Sequence, residues 1–400
     1  MSTARRQGRA TLRLVGLLLL GILAAVAGQA RGGSLPPDEG TLLRVSVLDV
    51  GQGDAILIQT PDGKTLLIDA GPGSSSDLLL RQLSWQGVAR IDLAVNTHPH
   101  EDHLGGFVSV LERMPCRLFT DPGVAHTTRA YENLMLELKA RQIPTRVARR
   151  GQTYKVGSAV VLDVLAPEEP LLDDTLNNVS VVTRLTYGNF SMMLMGDAEA
   201  EVEERLLSHG VQPTVVLKVA HHGSHSSSTG PFLDRLNLRV AIISCGVDNR
   251  YGHPHRETLE ALERRGVAIY RTDQDGQVRV LTDGRKLWVE TFAPQAIRSG
   301  GVDQPHPTRV DGPFKLSTGS TGQFERSSSV TPGGQASPGG DQANQTAVPP
   351  GGYVASIHSK VFHLSTCANA RRISPENLQH FDTREAAIEA GKTPARCCNP

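Results

Sequence analysis

A chain of 400 residues with 39% hydrophobic side chains has room for two or three domains and ample apolar material for a buried core in one of them. Lys plus Arg and Asp plus Glu balance at 41 each; this excludes a global field pulling the protein onto nucleic acid or anionic lipid, so any polyanion contact has to be local. The five cysteines do not frame a disulfide-stapled fold, since Cys116 and Cys245 stand alone and the other three lie near the C-terminus.

In chain order, the N-terminus carries Arg5, Arg6, Arg9 and Arg13, then an apolar run over residues 14–27, then Gly28, Ala30, Gly32 and Gly33. A charged start, an apolar run shorter than the roughly 20 residues of a bilayer span and small residues beyond it are the marks of an export signal. Residues 1–30 are therefore expected to be a signal peptide, cleaved after Ala27 or Ala30, or an uncleaved membrane anchor. Either way the protein is expected to be secreted, periplasmic or at the cell surface, with membrane contact only if the segment is retained.

Between residues 42 and 292, period-two apolar runs alternate with helical stretches. Strands are predicted over 43–48, 55–59 and 65–68, with Pro61-Asp62-Gly63 as the turn between the second and third. A helix follows over 76–86 and a strand over 91–95. Further strands are predicted over 117–120, 160–165, 181–187, 190–195, 215–219, 240–244 and 278–282, and helices over 131–141, 200–209, 231–236 and 256–265. The basic run Arg146, Arg149, Arg150 and Lys155 falls on a loop and strand edge, where a solvated surface and a local polyanion contact are both open. Cys245 ends an apolar run and reads as a small buried thiol. From 299 to 352 the composition turns to Ser, Gly, Thr, Pro and Gln, too little apolar surface to offset ordering entropy, so a disordered linker is predicted. Residues 353–400 form a module short enough that a metal or partner would help it fold.

The densest chemistry lies where the strand over 91–95 runs into Thr-His-Pro-His-Glu-Asp-His-Leu-Gly-Gly, placing His98, His100, Asp102 and His103 within six residues. Neutral imidazole and carboxylate suit Zn, Mn or Fe. A strand ending in an irregular loop lets His98 and His100 share one ion, while Asp102 and His103 turn towards a second. The bland alternative is a surface loop rich in His.

His98-Pro-His100-Glu-Asp102-His103 matches the His-x-His-x-Asp-His signature of the metallo-β-lactamase fold. Leu48-Asp49-Val50-Gly51-Gln52-Gly53-Asp54-Ala55, Leu67-Ile68-Asp69-Ala70-Gly71, Met195-Gly196-Asp197, Lys218-Val219-Ala220-His221-His222-Gly223-Ser224 and Tyr251-Gly252-His253-Pro254-His255 add to it. Together they resemble the hydrolase domain of the competence protein ComEC/Rec2 over about residues 42–292.

The resemblance implies an α/β four-layer αββα sandwich and a dinuclear site of two divalent transition metal ions, Zn or Mn. It implies Asp197 as the bridging ligand and Asp69 as a support for the His loop. Where generic members of the fold supply another His, this chain has Asn177-Asn178-Val179-Ser180, which leaves the metal count open and makes Asn178 a supporting residue. His221, then His253, are expected to complete the ligand set; His222, Ser224 and His255 are expected to contact phosphate or to give a proton to the leaving group. The implied chemistry is attack by an activated water near Asp102, most plausibly on a phosphodiester of single-stranded DNA. Esters, lactones or β-lactams are the alternative substrates, and an exported DNA-binding or surface-interaction protein without turnover is the alternative class. Gly51-x-Gly53 is too short for a dinucleotide fingerprint.

Residues 353–400 resemble the small zinc-binding domain of the Ada DNA-repair protein, through Ser359-Lys360-Val361-Phe362-His363, Cys367, Arg371-Arg372-Ile373-Ser374, Phe381, Glu385-Ala386, Gly391, Pro394 and the final Cys pair. Ala395 replaces one Cys of that pattern, and adjacent Cys397 and Cys398 chelate poorly. A structural Zn held by His363, Cys367 and Cys398 and a metal-free module with a Cys367 disulfide are both open; tethering to DNA or the cell surface is the expected role.

Overall fold

The computed structural model describes residues 39–171, 175–299, 305–316 and parts of 352–394. The expected signal over 1–30 and most of the expected linker lie outside the described residues. Two compact units are distinguished, residues 1–322 and 323–400.

In the first unit the strands are β1 (Leu43–Val47), β2 (Ala55–Gln59), β3 (Thr65–Ala70), β4 (Leu93–Val95), β5 (Phe119–Asp121), β6 (Thr145–Val147), β7 (Thr153–Val156), β8 (Val160–Ala166), β9 (Val182–Tyr187), β10 (Phe190–Leu194), β11 (Val216–Lys218), β12 (Val240–Ile243), β13 (Ala268–Arg271), β14 (Val278–Thr282), β15 (Lys286–Thr291) and β16 (Arg309–Lys315). They form a nine-stranded sheet ordered β16-β15-β14-β1-β2-β3-β4-β5-β6 and a seven-stranded sheet ordered β13-β12-β11-β10-β9-β8-β7. Strands β3 to β6 run parallel, as do β10 to β13.

Alternation on each strand divides the core into layers. Val45, Ile58 and Ile68 of the first sheet meet Leu162, Leu185 and Met192 of the second in the central layer. On the outer face of the first sheet, Leu57 and Leu67 pack with Leu79, Leu83, Phe107 and Leu134 of the helices Ser76–Trp85, Phe107–Arg113 and Arg129–Ala140. Met193 and Leu217 of the second sheet pack with Val202, Phe232 and Leu262 of Ala200–Ser208, Gly230–Leu236 and Arg256–Glu263. Both sheets are covered on both faces, which is why β2 and β3 read as nearly unbroken apolar runs. The result is the αββα sandwich.

Where the sequence reading placed linker, β16 extends the first sheet by pairing antiparallel with β15. Val310 packs on Leu42, Leu281 and Trp288, and Phe314 on the central layer; the Tyr270 hydroxyl donates to Asp311 at 2.7 Å. The domain therefore runs past residue 292. Two apolar residues spaced within a Gly- and Pro-containing stretch carry too little periodicity to mark an edge strand. The basic run lies on β6 and β7, with Arg146 exposed and Arg149 donating to the Pro122 carbonyl at 2.8 Å.

The second unit has a four-stranded sheet, β17 (Tyr353–Ser356), β18 (Val361–Leu364), β19 (Leu378–Phe381) and β20 (Thr393–Pro394), ordered β19-β17-β18-β20. Ala355, Phe362, Phe381 and Ala387 form its small core. Thr383 caps the helix Arg384–Glu389 by accepting from the Ala386 N–H at 3.1 Å.

Candidate metal centre

The side chains singled out by the motifs gather at the carboxyl ends of parallel strands, the usual location of sites in parallel sheets. Asp69 lies near the end of β3, and β4 runs into the His98–His103 loop; β10 leads to Asp197, β11 to His221 and His222, and β12 to Ser244. The loop after β1 braces this group. The Asp54 N–H donates to the Asp102 carbonyl at 3.1 Å, and a Cβ on Gly53, whose φ is +141°, would collide with the same carbonyl. Only glycine lets the two backbones come this close.

One oxygen is the hub. Asp197 Oδ2 lies 3.3 Å from His103 Nε2, 3.6 Å from His222 Nε2, 3.7 Å from His98 Nε2 and 3.9 Å from His221 Nε2. His98, His100 and Asp197 form one group whose donor atoms can meet on an ion; Asp102, His103 and His222 form another. His98 Nε2 and His100 Nδ1 are 2.9 Å apart, and His222 Nε2 is 3.3 Å from Asp102 Oδ2.

These atoms fit divalent transition metals. His103 Nε2, His222 Nε2 and Asp197 Oδ1 are buried without a hydrogen-bond partner, and each such atom costs about 1–3 kcal/mol when left unsatisfied. Cations held by these groups would satisfy them. The donor set is imidazole and carboxylate without thiolate, the chemistry of Zn, Mn or Fe.

Electrostatics point the same way. Burial, then the neighbouring His103, holds His98 well below the ordinary histidine range. Burial opposes protonation of His103, yet Asp197, Asp69 and Asp102 lift it well above that range. At His222 burial is likewise outweighed, by Asp197, Asp102 and Asp54, and its pKa rises to about 10. Asp197 and Asp102 stay well below the usual carboxylate range, against burial, because His103 and His222 face them. The carboxylates thus create a negative potential that favours cations at the hub.

Supporting groups fix the rings. Asp69 accepts from the Thr97 N–H and hydroxyl, both at 2.7 Å, and lies 2.8 Å from His103 Nδ1, leaving Nε2 for the centre. His222 Nδ1 is 3.0 Å from the Ser244 carbonyl and 3.4 Å from Asp54 Oδ1. Asp54 in turn accepts from Lys218 Nζ at 2.6 Å, and Lys218, fully buried, also donates to the Val219 carbonyl at 2.9 Å. Burial would raise the Asp54 carboxyl, but Lys218 and His222 bring it down to about 2.

The model of the Metallo-beta-lactamase superfamily matches residues 48–247, half of the chain. The chain belongs to the metallo-β-lactamase superfamily. Among curated proteins, ComE operon protein 3 of Bacillus subtilis (strain 168) is 30% identical over 62% of this chain and 34% of its own. Recombination protein 2 of Haemophilus influenzae is 31% identical over 59% of this chain and 28% of its own. This metallo-β-lactamase chain therefore spans about a third of the length of the curated relatives it matches. The solved structure of the metallo-beta-lactamase fold protein YhfI from Bacillus subtilis is 13% identical over 58% of this chain and 96% of that one, with a TM-score of 0.40.

The geometry places the other histidines as well. His221, the expected completing ligand, has its Nε2 3.9 Å from Asp197 Oδ2; His222, expected at the phosphate or leaving group, also joins Asp102 and His103 in a metal-competent group. Consecutive positive φ values, 47° at His221 and 54° at His222, turn the neighbouring rings apart, and no spacing rule reveals that. His221 Nδ1 lies 3.2 Å from both Glu199 and Ser226. His253 belongs to neither group; its ring centroid is 5.4 Å from that of His221 and 6.1 Å from that of His222. His255 accepts from the His225 N–H at 3.0 Å, faces that ring and lies edge-on to His253 with centroids 4.9 Å apart. Ser224 Oγ accepts from the Ser226 N–H at 3.2 Å.

Asn178 accepts from the Glu199 N–H at 2.9 Å and donates to Glu201 at 3.3 Å, steadying the segment between Asp197 and the helix Ala200–Ser208. In the second unit, half-buried His363 lies on β18 and belongs to no metal-competent group among the described residues. Cys367 and Cys398 lie outside the described residues. The sequence reading missed the roles of Asp54 and Lys218, although a lysine within the apolar run of β11 is a signal of a paired buried charge.

Proposed function

We propose that this chain is an exported metal-dependent phosphodiesterase that cleaves DNA, with a pair of Zn or Mn ions held at the hub. The observation that carries the reading is the single Asp197 oxygen within 4 Å of four imidazoles, a bridging position between the His98–His100 pair and the Asp102–His103–His222 group. Ions bound there would activate a water at neutral pH and act as Lewis acids towards a phosphoryl oxygen. His98, kept neutral, offers its ring nitrogen to an ion. Asp69 and Asp54 hold His103 and His222 in register, and Asp102, partly exposed and kept ionised, would offer its carboxylate to an ion beside them. His253, with its pKa lowered to about 4 by burial and then by His222 and His221, stays neutral beside them.

The names of the relatives, Recombination protein 2 and Competence protein ComA, support nucleic acid as the substrate. The arginine-led apolar run before residue 30 supports export, and residues 353–400 would serve as a DNA or cell-surface tether.

Metal content by plasma mass spectrometry, together with turnover of bis-p-nitrophenyl phosphate and of a labelled single-stranded oligonucleotide, tests the reading. The wild-type chain should hold about two ions, and His100→Ala and Asp102→Ala should each lose at least about 100-fold in turnover with the fold retained. Metal-loaded protein that hydrolyses a lactone or β-lactam and no phosphodiester would move the substrate class. Absence of both metal and turnover would make the domain a binding scaffold.

A further inference from the structure

Beyond the metal groups, the loop between β12 and the helix Arg256–Glu263 carries an ordered stack that the chemistry at the hub does not use. His253 is its inner rung, against His221 and His222. Tyr251 stacks on His253 with ring centroids 5.6 Å apart and an interplanar angle of 21°. Arg250 closes the stack: its guanidinium carbon lies 4.8 Å from the Tyr251 centroid and Nη2 donates to the Tyr251 hydroxyl at 2.7 Å. Arg250 is exposed and makes no ion pair among the described residues.

The loop beneath is braced. Asn249 accepts from the His253 N–H at 3.0 Å and donates to the carbonyls of His253 and Gly246 at 2.6 and 2.9 Å. The Gly246 N–H donates to Gln52 at 3.1 Å, tying the loop to the one that supports Asp102. Yet Tyr251 is 49% exposed and Val247 beside it is equally exposed. The braced loop thus presents an aromatic ring and a cation, both open to a ligand, next to the histidines of the metal centre.

We infer that Arg250 and Tyr251 form a nucleotide subsite flanking the scissile phosphodiester, with a base stacking on the guanidinium plane that the Tyr251 ring supports and the free N–H groups of Arg250 pairing with its phosphate. The chemistry is that of single-strand recognition: aromatic and guanidinium planes accept any base, and arginine binds a phosphate in a forked geometry. Such contacts need a nucleobase and its phosphate beside the scissile bond, and methyl p-nitrophenyl phosphate has neither. With a net charge of zero, polyanion capture falls to local groups of this kind. The inference rests on the phosphodiesterase reading and deepens it.

The test compares kcat/KM for a single-stranded oligonucleotide with kcat/KM for methyl p-nitrophenyl phosphate, which has no ring on the flanking side, in the metal-loaded full chain. Tyr251→Ala should lower the oligonucleotide-to-diester ratio about 10-fold, chiefly through KM, and Tyr251→Phe should keep most of it. Arg250→Gln should reduce the slope of log KM against log salt by about 0.7, the effect of one phosphate contact on a single strand. An unchanged ratio and slope in these variants, with wild-type turnover intact, would overturn the subsite alone. A wild-type chain that cleaves neither substrate would overturn the phosphodiesterase reading and the subsite with it.

Discussion

Lys218 shows how a single side chain away from the ions supports the centre. Its ammonium is fully buried and its main partner is Asp54, which stands behind His222. Removing one member of a buried ion pair leaves the other uncompensated, at a cost of about 3–5 kcal/mol. Lys218→Met should therefore lower unfolding free energy in denaturant by about that amount, and Asp54→Asn added to it should recover part of the loss. Additive losses would mean that the pair is not coupled. Glu203 is a second buried titratable group, on the helix Ala200–Ser208. It accepts from the N–H groups of Ser228 and Thr229 at 2.6 and 2.8 Å, holding the end of the loop that carries His221 and His222. Burial pushes its pKa from 4.5 to about 7. The folded state thus keeps a proton that the unfolded chain has released, so the stabilising contribution is full below pH 4.5 and is lost as pH rises to about 7. Between those limits the wild type should lose on the order of 3 kcal/mol relative to Glu203→Gln; parallel stability curves for the two proteins would refute this.

Edge elements decide where the domain ends. Strand β16 covers Leu42, Leu281 and Trp288 with Val310, adds Phe314 to the central layer and bonds Tyr270 through Asp311. A chain ending at residue 316 should keep the stability of the first unit within about 1 kcal/mol, whereas one ending at 299 should lose about 3 kcal/mol or more, since two apolar side chains and a sheet edge are uncovered. Thermal unfolding of the two truncated proteins side by side measures this. Equal midpoints would return β16 to the status of linker. Strands such as β2, β3, β10 and β12 announced themselves as apolar runs because helices and the facing sheet enclose them on both faces. β13, β15 and β16 were not recognised, since each is short, half-covered or interrupted by charge, and its partner strand supplies the missing constraint.

On the scale of the whole molecule, the centre is assembled from residues far apart in the chain, each delivered by a different parallel strand. The sequence by itself determined the donor chemistry: His98, His100, Asp102 and His103 are near neighbours, and the composition of their loop alone points to divalent metal. It also determined the alternation that makes two covered sheets. What only the tertiary structure decided was which distant side chains join them. The family resemblance already implied Asp197; the fold brings its Oδ2 to His98, His103, His221 and His222, and positive φ at His221 and His222 sets the His222 ring beside Asp102 and His103. Asp54 and Lys218 meet across 164 positions of sequence. Periodicity records whether a residue faces a core, since burial is a property of one element and its environment. The direction of a side chain in an irregular loop depends on dihedral angles set by the packing of other elements, and local sequence holds no record of them.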